Sequence, residues 1–217
     1  MVRWTAALGI GGTVLQLLAL GFFLASGLPP NLGDPAKVLS YVQGTHGTLT
    51  TAWVLFMLSF VVLLGFQGGL RALIAASSPE LEWLATTVVV AGVVSVAMAL
   101  AVVGLGVTAA AEAASPAPQA ASVRTLFEAS AVLAGAPILI PIAFYLGAAG
   151  SATGRLLPRW LVLVAWAGSV LDLIVSLTAY AGNDPTAFWA ADGLVTVLGL
   201  LPLYFWTLAA SIVFLRR

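Results

Sequence analysis

Between Glu82 and Glu112 the chain runs WLATTVVVAGVVSVAMALAVVGLGVTAAA without one charged residue. A helix needs about 20 apolar residues to cross a bilayer. In hydrocarbon no water meets the backbone N–H and C=O groups, so they must be satisfied inside the segment, and a helix does this. This run therefore predicts a membrane-spanning helix over 83–111. Segments of the same kind occur at 5–27, 49–75, 126–149, 160–181 and 192–214. They are too long and too continuous for barrel strands, which alternate over about 10 residues. Composition agrees: 61% of residues are hydrophobic and 7% are charged, against about 25% charged in an ordinary soluble domain.

The expected fold is all-α, one integral membrane domain over residues 1–217 with six transmembrane helices. The connections GLPPNLGDPAKVLSYVQGTHG, ASSPELEW, EAASPAPQAASVR, GSATGRLLPR and AGNDPTAF hold the clustered Pro and Gly that punctuate helices. DPAKVLSYV begins with an Asp cap and a Pro at the first helical position, which predicts a short amphipathic helix in the first outer loop. The excess of Lys and Arg orients the bundle. With the N-terminus inside, the inner side holds Arg3, Arg71, Arg155, Arg159, Arg216 and Arg217, and the outer side holds Lys37 and Arg124. Both termini are expected to be cytoplasmic. Trp4, Trp83, Trp160 and Trp189 fall near segment ends, where aromatic anchors belong. The apolar run after Arg3 exceeds the 7–15 residues of a signal-peptide core and is read as a retained helix. Lys37 is the one lysine among eight basic residues; with the heavy Ala, Gly, Leu and Val usage this suggests a GC-rich bacterial genome and a bacterial cytoplasmic membrane.

Several membrane chemistries lack their residues. There is no cysteine, so thiolate catalysis, disulfides and iron–sulfur ligation are excluded. A retinal Schiff base needs an intramembrane lysine, and Lys37 lies in a loop. His46 is the one histidine, which rules out bis-histidine haem and weakens any His-carboxylate metal site. No G-x-S-x-G elbow and no phosphate-binding lysine motif occurs, and Gly9, Gly11 and Gly12 lack a strand–turn–helix context. With zero net charge, nucleic acid is not an expected partner. No enzymatic activity, cofactor or metal is expected.

The polar residues at membrane depth are the candidates. Asp172 lies near the centre of its segment, where an aspartate costs about 2.5–3.5 kcal/mol on insertion scales. Ser169, Asp172, Ser176 and Tyr180 share one helical stripe, which should face the bundle interior. Two readings compete: a proton or cation site, or a protonated acid that hydrogen-bonds a neighbouring helix and locks packing. No intramembrane cation is at hand, which favours the second. Gln16 and Gln67 want interhelical partners, and either could serve Asp172. Glu112, Glu128, Asp184 and Asp192, with Asp34 and His46, form an outer acidic face that either attracts cations or is ordinary loop charge. Gly65 and Gly69 have close-packing spacing; Gly150 and Gly154 share it but fall mostly in a loop. Pro137 and Pro141 should kink the fourth helix.

GRLLPRWLVLVAWAG, from Gly154 to Gly168, resembles the signature stretch of a bacterial family of multi-pass membrane proteins known as domain of unknown function four-three-eight-six. The DPAKVLSY segment and the helix ending GGLRALI are similar as well, and Arg155 and Pro158 are the matching turn positions. The resemblance implies six helices and no assigned activity, and it carries over no catalytic residue. The expected function is a non-enzymatic integral membrane protein, either an accessory or structural component or a binder of a small apolar or lipid ligand. The alternative is a small proton- or cation-coupled transporter or channel using Asp172. The expected partners are the lipid bilayer and a homo-oligomer or larger membrane complex.

Overall fold

The computed structural model describes residues 1–27, 29–180 and 194–217. These form α1 (Val2–Ala25), α2 (Pro35–Gly44), α3 (His46–Ser77), α4 (Glu82–Ala113), α5 (Ala120–Ala134), α6 (Ala136–Ala152), α7 (Arg159–Ser176) and α8 (Leu194–Leu215), with no strand among the described residues. Six stretches are long and apolar enough to span a membrane: Val2–Ala25, His46–Ser77, Pro79–Ala113, Ala120–Ala152, Arg159–Ser176 and Leu198–Leu215. By length and composition, the chain is a multi-pass membrane protein. The fifth span ends at Ser176 rather than at 181, because the chain tightens into a 3-10 turn over Leu177–Tyr180.

The spans pack in chain order. α1 lies along α3, α3 along α4, α4 along α5 and α6, α6 along α7, and α7 along α8, which returns to α1. α6 also meets α8 directly, so α7 sits over the groove between those two helices. In lipid an apolar side chain gains little by exchanging acyl chains for another helix, so small residues that admit close packing hold the interfaces. The α1–α3 seam shows this. A methyl group at Gly9 would collide with Phe66 and Ser211, one at Gly12 with Leu63, one at Gly65 with Leu8, and one at Gly69 with Thr5. Gly150 also belongs to a helix contact, since α6 continues to Ala152 and a methyl there would crowd Ala165 and Trp166 of α7.

The fourth span is two helices, not one kinked helix. α5 ends at Ala134, Gly135 (φ −82°, ψ −128°) redirects the chain, and Pro137 lies in the first turn of α6. Proline has no amide to lose in a first turn and its φ suits a helix start, so it begins a helix here. Pro141 is inside α6.

α2 forms where its cap directs. The Asp34 carboxylate accepts from the backbone amides of Ala36 (3.1 Å) and Lys37 (3.3 Å), with Pro35 at the first position. The Lys37 amide above all, then the Lys37 side chain, holds the Asp34 carboxyl below its ordinary value. Val38 and Val42, one turn apart, are fully buried in a small second core with Leu32, Leu49, Trp53, Val123 and Phe127. Burying each valine is worth about 1.5–3 kcal/mol relative to leaving it in water. Polar ties fix the same end: Tyr41 Oη donates to Gly27 O (3.1 Å), Gln43 Nε2 to Ala113 O (2.9 Å) and Arg124 Nε to Leu32 O (2.6 Å). Burial pushes the Tyr41 hydroxyl above its ordinary pKa. At the opposite end Arg155 pairs with Glu80 (2.9 Å) and Arg71 with Glu82 (3.0 Å).

Gly9→Leu should lower the unfolding midpoint in detergent by the equivalent of about 1–3 kcal/mol, the usual cost of overpacking. An unchanged midpoint would mean that α1 does not meet α3 and α8 at this point.

Candidate functional site

Among the described residues two polar features stand at membrane depth, on opposite sides of α6. The first is Asp172. It is 0% exposed, and neither Oδ1 nor Oδ2 has a hydrogen-bond partner among the described residues. The side chain looks across at α8, where a Cβ on Gly199 would sit 3.5 Å from Oδ1 and 3.3 Å from Leu139 of α6. One turn earlier, a methyl on Gly168 would collide with the ring of Pro202 and approach Leu146. Small residues thus let α7 and α8 come close at Asp172. Pro202, inside α8, has no amide, so the carbonyl of Leu198 has no i→i−4 donor. A carboxyl group and a carbonyl short of a donor therefore occupy the same helix crossing. An unpaired carboxylate at this depth costs several kcal/mol, and no Lys or Arg pairs with it among the described residues.

The rest of the expected stripe divides. Ser169 Oγ donates to the Ala143 carbonyl of α6 at 2.8 Å, tying the two helices together. Ser176 is half-buried and turns back to its own helix, donating to Leu173 O at 2.7 Å. Tyr180 closes the 3-10 turn.

The second feature is a chamber of about 40 Å³ at the centre of the bundle. Its polar lining is Gln16 of α1, Gln67 of α3, Ser95 of α4, Tyr145 of α6 and Thr207 of α8; Phe60, Leu63, Phe66 and Ile142 are among its apolar walls. Gln16 and Gln67 are therefore not partners of Asp172, as the sequence had allowed. They point into the ring of helices, while Asp172 sits in the groove that α7 covers. The Gln67 carboxamide lies against Gly92 of α4, where a methyl group would collide with it, and its Oε1 has no hydrogen-bond partner. Ser95 Oγ donates to Ala91 O at 2.8 Å, which leaves its lone pairs for the chamber.

The outer acidic face dissolves into local pairs among the described residues. Glu128 is bound to Arg124 at 2.9 Å one helical turn away. Glu112 Oε1 accepts from the Gln119 amide at 3.2 Å and pins the turn between α4 and α5. Asp34 caps α2, and half-buried His46 opens α3. Asp184 and Asp192 lie outside the described residues. No group of three or more metal-ligating His, Asp or Glu side chains occurs among the described residues. Along α5 an open groove of about 530 Å³ is lined by Ala129, Val132, Leu133 and Pro137, with Thr125 and Glu128 as its polar members.

The sequence missed Ser95, Tyr145 and Thr207 as chamber residues because each sits singly in an apolar run. It missed Gly199 and Pro202 because a glycine and a proline in a membrane helix show their role only against a neighbour. Comparison with protein-family models, curated proteins and solved structures finds no match to this chain.

Asp172→Leu should leave the bundle as stable or more stable, by up to about 1–3 kcal/mol, since it removes an unpartnered buried polar group. The check is the unfolding midpoint in detergent; a fall of that size would show that Asp172 holds a packing bond.

Proposed function

We propose that this chain is a non-enzymatic integral membrane protein that binds a small apolar or lipid ligand, as an accessory or structural component of a bacterial cytoplasmic membrane. The carrying observation is the groove along α5: about 530 Å³, open, and walled by Ala129, Val132, Leu133 and Pro137. A shallow apolar surface of this kind can lie along an acyl chain, and Thr125 and Glu128, which pairs with Arg124, are its polar members on the headgroup side. Among the described residues the polar side chains that converge are the neutral ones of the chamber, and Asp172 is enclosed apart from them, which supports a non-enzymatic reading.

Both termini are proposed to face the cytoplasm. In support, Arg3, Arg71, Arg155, Arg159, Arg216 and Arg217 gather at one end of the bundle, against Lys37 and Arg124 at the other. On this reading α2 lies at the outer surface. Membership of the bacterial family noted above belongs to the same proposal. It rests on short segments in which Arg155 joins Glu80 and Pro158 starts α7.

A second reading, a proton- or cation-coupled transporter, is favoured by one observation: among the described residues both Asp172 oxygens lack partners, at the place where Gly199 brings α8 close. Asp172 would then take up the proton or cation as α7 and α8 shift. Proteoliposomes decide this reading, because Asp172→Asn should abolish a pH- or cation-driven flux; if the wild type shows no such flux, it fails.

For the leading reading, gentle detergent purification followed by native mass spectrometry should show retained lipid. Ala129→Trp, which fills the groove, should reduce that retention several-fold; equal retention would remove the groove as the site. Orientation is open to single cysteines, since the chain has none of its own. A cysteine at Arg217 should resist an impermeant maleimide in intact cells, and one at Ser115 should react.

A further inference from the structure

We infer that the central chamber is a hydration site, holding ordered water at membrane depth between α1, α3, α4, α6 and α8. The inference is independent of the ligand proposed for the α5 groove.

Size comes first. A cavity needs about 10–15 Å³ to accept one water, and this one offers about 40 Å³. That admits one or a few waters and leaves no room for a lipid, a sugar or an aromatic ligand. Chemistry comes next. Empty cavities in proteins are apolar, whereas a buried water needs 2–4 polar partners. Five polar side chains reach this chamber: Gln16, Gln67, Ser95, Tyr145 and Thr207. Gln67 is 8% exposed and Gln16 2% exposed, so neither amide is solvated from the surface. Gln67 Oε1 is fully enclosed and lacks a partner among the described residues, and leaving such an acceptor dry is unfavourable. A water donating to Oε1 removes that cost.

Charge decides against an ion. All the lining side chains are neutral, and an unpaired ion in a low-dielectric site is strongly disfavoured. Gly92 keeps the site in place: α4 approaches so closely there that the Gln67 carboxamide is held against its backbone, where any larger residue would push the amide into the chamber.

The test is X-ray radiolytic hydroxyl footprinting of the full-length protein in detergent, which oxidises side chains next to bound water. Phe66 and Phe214 are a matched pair, each 1% exposed, but only Phe66 lines the chamber. Phe66 should be oxidised several-fold faster than Phe214. In Gln67→Met, of similar size but without the amide, the Phe66 rate should fall toward that of Phe214. Equal, slow oxidation of the two phenylalanines in the wild-type protein would show a dry chamber and overturn the inference, whether or not the variant folds.

Discussion

Helices in a bilayer are already surrounded by hydrocarbon, so the contact that holds them together must be closer than the one lipid provides. Here that contact is the α1–α3 seam, where Gly9 and Gly12 receive Phe66 and Leu63, and Gly65 and Gly69 receive Leu8 and Thr5. The seam carries side chains from both helices across one line, as knobs and as the spaces that accept them. The same seam brings Gln16 and Gln67 to one chamber, and α8 joins it through Ser211 beside Gly9. Without that approach the two amides would face different surroundings.

α6 is the wall between the two polar features. Ile138, Ile142 and Tyr145 face the chamber. Leu139, the Ala143 carbonyl and Leu146 meet Gly199, Ser169 and Gly168 on the other side. Gly135 and Pro137 let this wall begin as a separate helix, so α5 leans on α4 through the Ser130–Val102 hydrogen bond (2.9 Å) while α6 closes the ring. The interruption of the helix at Gly135 therefore separates the groove-bearing helix from the helix that organises the interior.

Much of the architecture was legible in the residues. Each span could be read because lipid imposes a length and forbids charge, and both requirements are local. The role of Pro137 was misjudged because a proline two residues after a glycine can start a helix as readily as bend one, and only the direction of the next segment tells which. Asp172 was legible as an interior residue, since its insertion cost forbids a lipid-facing place. Its surroundings were not. Among the described residues neither of its oxygens has a hydrogen-bond partner, and Gln16 and Gln67 line the chamber instead. The pairing of the acidic residues was not legible, because charge along a loop does not say what it meets: Glu128 pairs with Arg124 and Glu112 accepts from the Gln119 amide.

Hydrophobic length and the placing of Gly and Pro determined by themselves that this chain enters a membrane, that its backbone is helical there, and where most of its spans are joined. Those follow from solvation of a single segment. Only the tertiary structure decided that Gln16 and Gln67 share a chamber, that Asp172 lies against Gly199, and that α5 bears an open groove. Each of these depends on which faces of two helices come within contact distance, and residues far apart in the chain settle that jointly.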